Sequence, residues 1–134
     1  MLVIGLSLHC FSQSGTKSPE EESAQALETG KAKADNNNWE GAVNDFSNAI
    51  AYYGRNQEAF YRRALARQNL KDYRGAIMDY SKAIYLNNND AASFLGRGIC
   101  YWFIGMKEKC CADLSKAESV GNSDATQAIQ NYCN

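Results

Sequence analysis

Histidine is almost missing from this chain: its one example, His9, lies in an apolar N-terminal run. Without others, a Ser-His triad or a histidine metal cage has nothing to draw on. Excess positive charge is missing too. Lys and Arg number 14 against 15 acidic residues, for a net charge of -1, which favours neither nucleic acid nor an anionic membrane. No apolar run exceeds about ten residues, too few to span a bilayer as a helix. No Gly-rich loop follows a strand pattern, so phosphate-cradling motifs are lacking. Glu20, Glu21 and Glu22 form a run without periodic apolar support, which reads as a solvated lead-in and not as acid-base machinery. These absences together predict a chain that is not an enzyme and has no cofactor.

What is present is a repeat. Ala42, Ala76 and Cys110 recur at one fixed step along the chain. Phe46, Tyr80 and Leu114 recur at the same step, as do Ala49, Ala83 and Ala117. A period of this length marks a helical hairpin that cannot bury its own apolar face and stacks on copies of itself. In register the units run Ser23 to Asn56, Gln57 to Asp90 and Ala91 to Asp124. Trp39 and Tyr73 share one column, and Gly30, Ala64 and Gly98 share another, where small residues let two helix backbones approach closely. The predicted fold is an all-α solenoid of three hairpins.

These columns resemble the tetratricopeptide repeat, with a small residue early in helix A, Ala opening helix B, an aromatic four later and Ala three after that. Gln57 to Asp90 matches best, through Phe60, Ala64, Tyr73, Ala76, Tyr80 and Ala83. Gly54, Asn88 and Asn122 stand where the repeat commonly closes with proline, and Asn and Gly end helices by tolerating left-handed backbone angles. The first unit carries Ala26 where a large aromatic is common.

Beyond the repeats, residues 125–134 restart the helix A pattern, with Ala128, Ile129 and Tyr132 on one face, as a capping helix needs. At the other end, Leu2 to Phe11 resembles the core of a secretory signal peptide, although no Lys or Arg precedes it. Cleavage after Ser14 would leave residues 15–22 as a flexible polar lead-in. The chain is accordingly expected to be exported, to the periplasm, cell envelope or medium, and not to insert in a membrane once the signal is removed. His9 before Cys10 breaks the lipoprotein pattern.

Removing that segment leaves four cysteines, Cys100, Cys110, Cys111 and Cys133. An even set in an exported domain reads as disulfides. Cys110 opens helix B of the third unit and Cys100 lies in the facing helix A, so these two have the opportunity to pair, leaving Cys111 for Cys133. That second bridge would restrict the unfolded chain by roughly 3 kcal/mol. The pairing of Cys110 with Cys133 and Cys100 with Cys111 stays open. The ending, with Val120, Gly121, Tyr132 and Cys133, resembles that of many exported bacterial tetratricopeptide proteins. Adjacent Cys110 and Cys111 point about 100° apart on a helix and no Cys-x-x-Cys spacing exists, which argues against a redox pair and makes a poor zinc set; no metal site is expected.

The tetratricopeptide resemblance implies a concave surface lined by the A helices and a protein or peptide partner bound there. By register its lining includes Lys31 from the first unit, Tyr61, Arg62, Leu65 and Gln68 from the second, and Leu95, Ile99, Trp102 and Phe103 from the third. Large aromatics supply much of the energy at interfaces, unless, for Trp102 and Phe103, the capping helix covers them. Some cytosolic members of the family grip a chaperone's C-terminal carboxylate with a clamp of Lys, Asn and Arg. The matching positions here hold Leu27, Lys31, Arg62, Ala92 and Gly96, only two of them cationic, which argues against that partner. The alternative reading is a structural homo-oligomer stacking through the open solenoid ends, and a third is a redox protein with free reactive thiols.

Overall fold

In the computed structural model, which describes residues 15–134, every regular element is an α-helix. They are α1 (Pro19–Asp35), α2 (Trp39–Tyr52), α3 (Gln57–Asn69), α4 (Tyr73–Leu86), α5 (Ala91–Phe103), α6 (Lys107–Ser119) and α7 (Ser123–Tyr132). Each helix packs on the next, and α1 also meets α3, α3 meets α5, and α5 meets α7. The odd-numbered helices therefore form one layer and the even-numbered helices the other. The expected all-α solenoid of three hairpins with a closing helix is what forms. No helix of the described residues is long and apolar enough to cross a membrane.

The repeating ladder is the core. Ala42, Ala76, Cys110, Phe46, Tyr80, Leu114, Ala49, Ala83 and Ala117 are all essentially inaccessible to solvent. The small-residue column does what backbone approach requires: a Cβ on Gly30 would run into the Phe46 ring, and one on Gly98 would press on Leu114. Trp39 packs against the first cluster and Tyr73 against the second.

Two local expectations are corrected. Residues 15–22, expected as a flexible lead-in, are helical from Pro19. Ser18 and Glu21 close a reciprocal capping box, Pro19 occupies the first turn, and Glu20, Glu21 and Glu22 supply the negative charge that a helix N-terminus favours. The left-handed residues are not Gly54, Asn88 or Asn122. Among the described residues they are Asn37, Lys71 and Gly105, themselves equivalent positions of the repeat, in the turns between the two helices of each hairpin, and Gly121 before α7. Asn122 instead caps α7, its side chain accepting from the Asp124 and Ala125 amides. Residues 1–14, with the signal reading and the cleavage after Ser14, lie outside the described residues.

Candidate functional site

A second periodic pattern, made of charge, fixes the odd-helix layer against the even one. Arg63 donates from Nε and Nη2 to the Asp79 carboxylate at 2.9 and 2.7 Å and from Nη1 to Ser47 Oγ at 3.0 Å. One repeat later, Arg97 donates to Asp113 at 2.7 and 2.8 Å and to Ser81 Oγ at 3.1 Å. Each arginine thus joins its own hairpin and stitches it to the previous one. Arg67 adds a second guanidinium to Asp79 at 2.8 Å, and Lys33 meets Asp45 at 2.9 Å in the corresponding place of the first hairpin. The hydrogen bonds that Arg97 donates to the Asp113 carboxylate hold the Arg97 pKa above its ordinary value. Sequence reasoning missed this network, although Arg63 and Arg97, Asp79 and Asp113, and Ser47 and Ser81 recur at the step of the repeat itself.

On this frame the odd-numbered helices expose two cavities. One, of about 170 Å³, is lined by Lys31, Ala34 and Asp35 of α1, Trp39 and Phe46 of α2, and Arg62, Leu65 and Asn69 of α3. The other, of about 240 Å³, is lined by Tyr61, Leu65, Gln68, Tyr80, Ala92, Leu95, Gly96 and Ile99, with Asn122 and Asp124 at its edge. Leu65 lines both, so the cavities adjoin along α3.

Seven of the nine residues placed in the groove by register line these cavities: Lys31, Tyr61, Arg62, Leu65, Gln68, Leu95 and Ile99. Trp102 and Phe103 line neither. The Trp102 ring sits 5.0 Å from that of Tyr132 in α7, and Phe103 stacks face to face on Tyr73 at 4.7 Å. Phe103 still has 54% of its surface exposed. Trp39, Phe46 and Tyr80 were not foreseen as lining because they belong to the even-numbered helices and close the cavities from behind the odd ones. The signal for Tyr80 was Gly96, a residue with no side chain opposite a large aromatic.

The floor of the second cavity is polar but satisfied. The buried Tyr80 hydroxyl donates to Gln68 Oε1 at 2.8 Å, and its ring lies 6.0 Å from that of Tyr61. Burial pushes the pKa of both phenols upward, so both are neutral hydrogen-bonding groups at physiological pH. In the first cavity the cations are already answered. Lys31 Nζ lies 2.8 Å from Glu28 and 4.0 Å from Glu58, and Arg62 Nε lies 3.2 Å from the same Glu58 oxygen.

Cys111 and Cys133 form a disulfide, with Cα atoms 5.7 Å apart, tying α6 to the end of α7. The anticipated bridge between Cys100 and Cys110 does not form, and both are free and buried. They face different clusters. Cys100 packs with Ala64, Ala76 and Tyr80 toward the second hairpin, whereas Cys110 packs with Leu114 and Ala128 toward the cap. Burial raises the Cys100 pKa to about 12, so its thiol is inert as a nucleophile.

No family model matches the chain, and no curated protein matches it. Solved structures do. The tetratricopeptide domain of Arabidopsis OM64 superposes with a TM-score of 0.83 at 26% identity, over 85% of this chain and 96% of that one. The second such domain of human RPAP3, determined in complex with the HSP70 peptide SGPTIEEVD, has a TM-score of 0.83 at 22% identity, over 87% and 98%. PcrH, determined with the chaperone-binding region of PopD, has a TM-score of 0.79 at 15% identity, over 82% and 90%. The fold is that of a tetratricopeptide domain. In these likenesses, solenoids of this shape carry a bound peptide or protein segment in two of the three.

Proposed function

We propose that this tetratricopeptide domain is a non-catalytic interaction module that binds a peptide segment along the groove of α1, α3 and α5. The observation that carries this reading is the pair of cavities adjoining at Leu65, which together give an extended trough with an apolar middle of Leu65, Leu95 and Ile99. A segment placing apolar side chains there would bury area as in other groove recognition. The RPAP3 domain, of the same fold, was determined in complex with a peptide, which supports a peptide ligand here. The ligand's chemistry differs, however, from an acidic C-terminus. Lys31 and Arg62 are offset by Glu28 and Glu58, so an incoming carboxylate would have to displace their partners for little gain. The preferred segment is apolar and near neutral. Export accords with the Cys111–Cys133 bridge, since such bonds persist in oxidising compartments, and the partner would then be met outside the cytosol.

The test is selection of a random displayed peptide library on the folded domain, with Leu65→Glu as the counter-target. The expected result is enrichment of peptides with two or more apolar side chains, lost on Leu65→Glu while its helical circular dichroism is retained. Equal enrichment on both proteins, or none on the wild type, would sink the proposal.

A further inference from the structure

The sulfur atoms of Cys110, Cys111 and Cys133 all lie within 4.8 Å of one another. The angle that separates adjacent helix positions does not keep Cys110 and Cys111 apart in function, because the Cys133 sulfur at the end of α7 lies within reach of both. Two of the three sulfurs are bonded and the third is a free thiol against that bond. Direct bonding of Cys110 to Cys111 is excluded because consecutive Cα atoms are only about 3.8 Å apart, short of what a disulfide in a helix needs. Only two connectivities exist, Cys111 with Cys133 or Cys110 with Cys133, and the loops they close are almost equal in length. Loop-closure entropy does not separate them.

They differ in which thiol is left over. Cys110 is fully buried, whereas Cys111 is half-buried. We propose that Cys110 is an internal nucleophile that moves the bridge from Cys111 to Cys133 over to itself, turning a masked thiol into a surface thiol at Cys111 open to S-thiolation by a low-molecular-weight disulfide. In the exchange the Cys110 thiolate attacks Cys133 Sγ, the bond between Cys110 and Cys133 forms, the bond between Cys111 and Cys133 breaks, and Cys111 leaves as thiolate and takes up the proton that Cys110 lost. No net oxidation occurs. A glutathione disulfide then accepts attack from the Cys111 thiolate, leaving glutathione on Cys111 and releasing one glutathione thiolate.

Burial raises the Cys110 pKa and the nearby Asp113 carboxylate raises it further, while a backbone hydrogen bond with Trp102 lowers it in part, for a net shift upward. The other groups around it are Tyr101 of α5 and Tyr132 of α7, with Arg97 held on Asp113. The relay is therefore slow at neutral pH and speeds up as pH rises.

The unreduced protein is incubated with glutathione disulfide, and adducts are located by fragmenting the peptide between Cys110 and Cys111. The expected product is one glutathione on Cys111, formed faster at pH 9 than at pH 7 and absent in Cys110→Ala. An adduct on Cys110, none on Cys111, or undiminished modification of Cys111 in Cys110→Ala would overturn the relay. Independently of that variant's folding, Cys111→Ser oxidised in its native state is expected to form the Cys110–Cys133 bridge. A protein that keeps Cys110 and Cys133 as free thiols would overturn it equally.

Discussion

Asp79 is held by two arginines at once, Arg63 at 2.7 Å and Arg67 at 2.8 Å, while only 4% of its side chain reaches solvent. Its repeat equivalents are progressively less committed. Asp113 has one arginine and a 9% exposed side chain, and Asp45 has one lysine that is itself 44% exposed. Removing one partner of a buried pair strands the other charge and costs about 3–5 kcal/mol, whereas an exposed pair contributes about 0–1 kcal/mol. Replacement of each aspartate by asparagine should therefore rank the three. Asp79→Asn should lose about 3 kcal/mol or more because it strands two guanidiniums, Asp113→Asn about 2 kcal/mol because it strands one, and Asp45→Asn less than about 1 kcal/mol. Urea denaturation of the three variants checks this, and an equal loss from all three would show that burial does not set the strength of the network.

The hairpin turns offer a cleaner comparison, since backbone alone is at stake. Lys71 has φ of 61° and Gly105 has φ of 79°, at equivalent positions, and a Cβ on Gly105 would meet nothing within 4 Å. A left-handed backbone costs an L residue about 1–2 kcal/mol. Gly105→Ala should therefore destabilise by about 1 kcal/mol, and Lys71→Gly should stabilise by up to about 1 kcal/mol, less the entropy glycine gains when unfolded. Melting curves of both variants decide it. Shifts of the same sign would mean that side-chain contacts, not backbone angles, govern these turns.

The same turns show where sequence reading succeeds and where it stops. Periodicity of small and aromatic residues revealed the three hairpins and the cap, because burial acts on residue type at each step. It assigned the left-handed sites wrongly, since Lys71 carries no compositional mark of its conformation and only its register with Asn37 and Gly105 betrays it. The pairing of Cys100 with Cys110 failed for a related reason. Facing helices bring residues near, but whether two thiols meet depends on the direction of each side chain, and these point into separate clusters. Trp102 and Phe103 are groove residues by register, yet Tyr132 and Tyr73 are neighbours that a single-repeat register does not contain.

Buried Cys100 gives a dependence on pH. Its thiol has a folded pKa of about 12 against an ordinary value of 9.0, so the folded state holds the proton more tightly than the unfolded state. Both states are protonated below about pH 9, where the full stability is present; above it the unfolded chain ionises first, and stability is lost as pH rises toward 12. The slope for one such group approaches about 1.4 kcal/mol per pH unit. Between pH 9 and 10 the wild type should lose more stability than Cys100→Ala by roughly half to one kcal/mol. Chemical denaturation at both pH values measures the difference, and parallel losses would mean that Cys100 ionises in the folded protein as readily as in the unfolded one.

Gly96 tests the link between the core and the groove. A Cβ there would fall inside the Tyr80 ring edge, against Cζ and the hydroxyl oxygen, and Tyr80 has no room to retreat because it is fully buried and bonded to Gln68. Alanine improves helix propensity by about 0.5–1 kcal/mol, but overpacking a rigid core costs about 1–3 kcal/mol. The clash should win, and Gly96→Ala should destabilise by about 1–2 kcal/mol. Because the hydroxyl is one of the atoms struck, the same substitution in a Tyr80→Phe background should cost less, a coupling that a double-mutant cycle reads directly. Tyr80 also lines the second cavity, so a displaced ring should weaken binding of any peptide selected on the wild type, even where the folded fraction is unchanged. Additive losses in the cycle would mean that the hydroxyl contributes nothing to the clash and that the ring, which Tyr80→Phe keeps, is what meets the new methyl group.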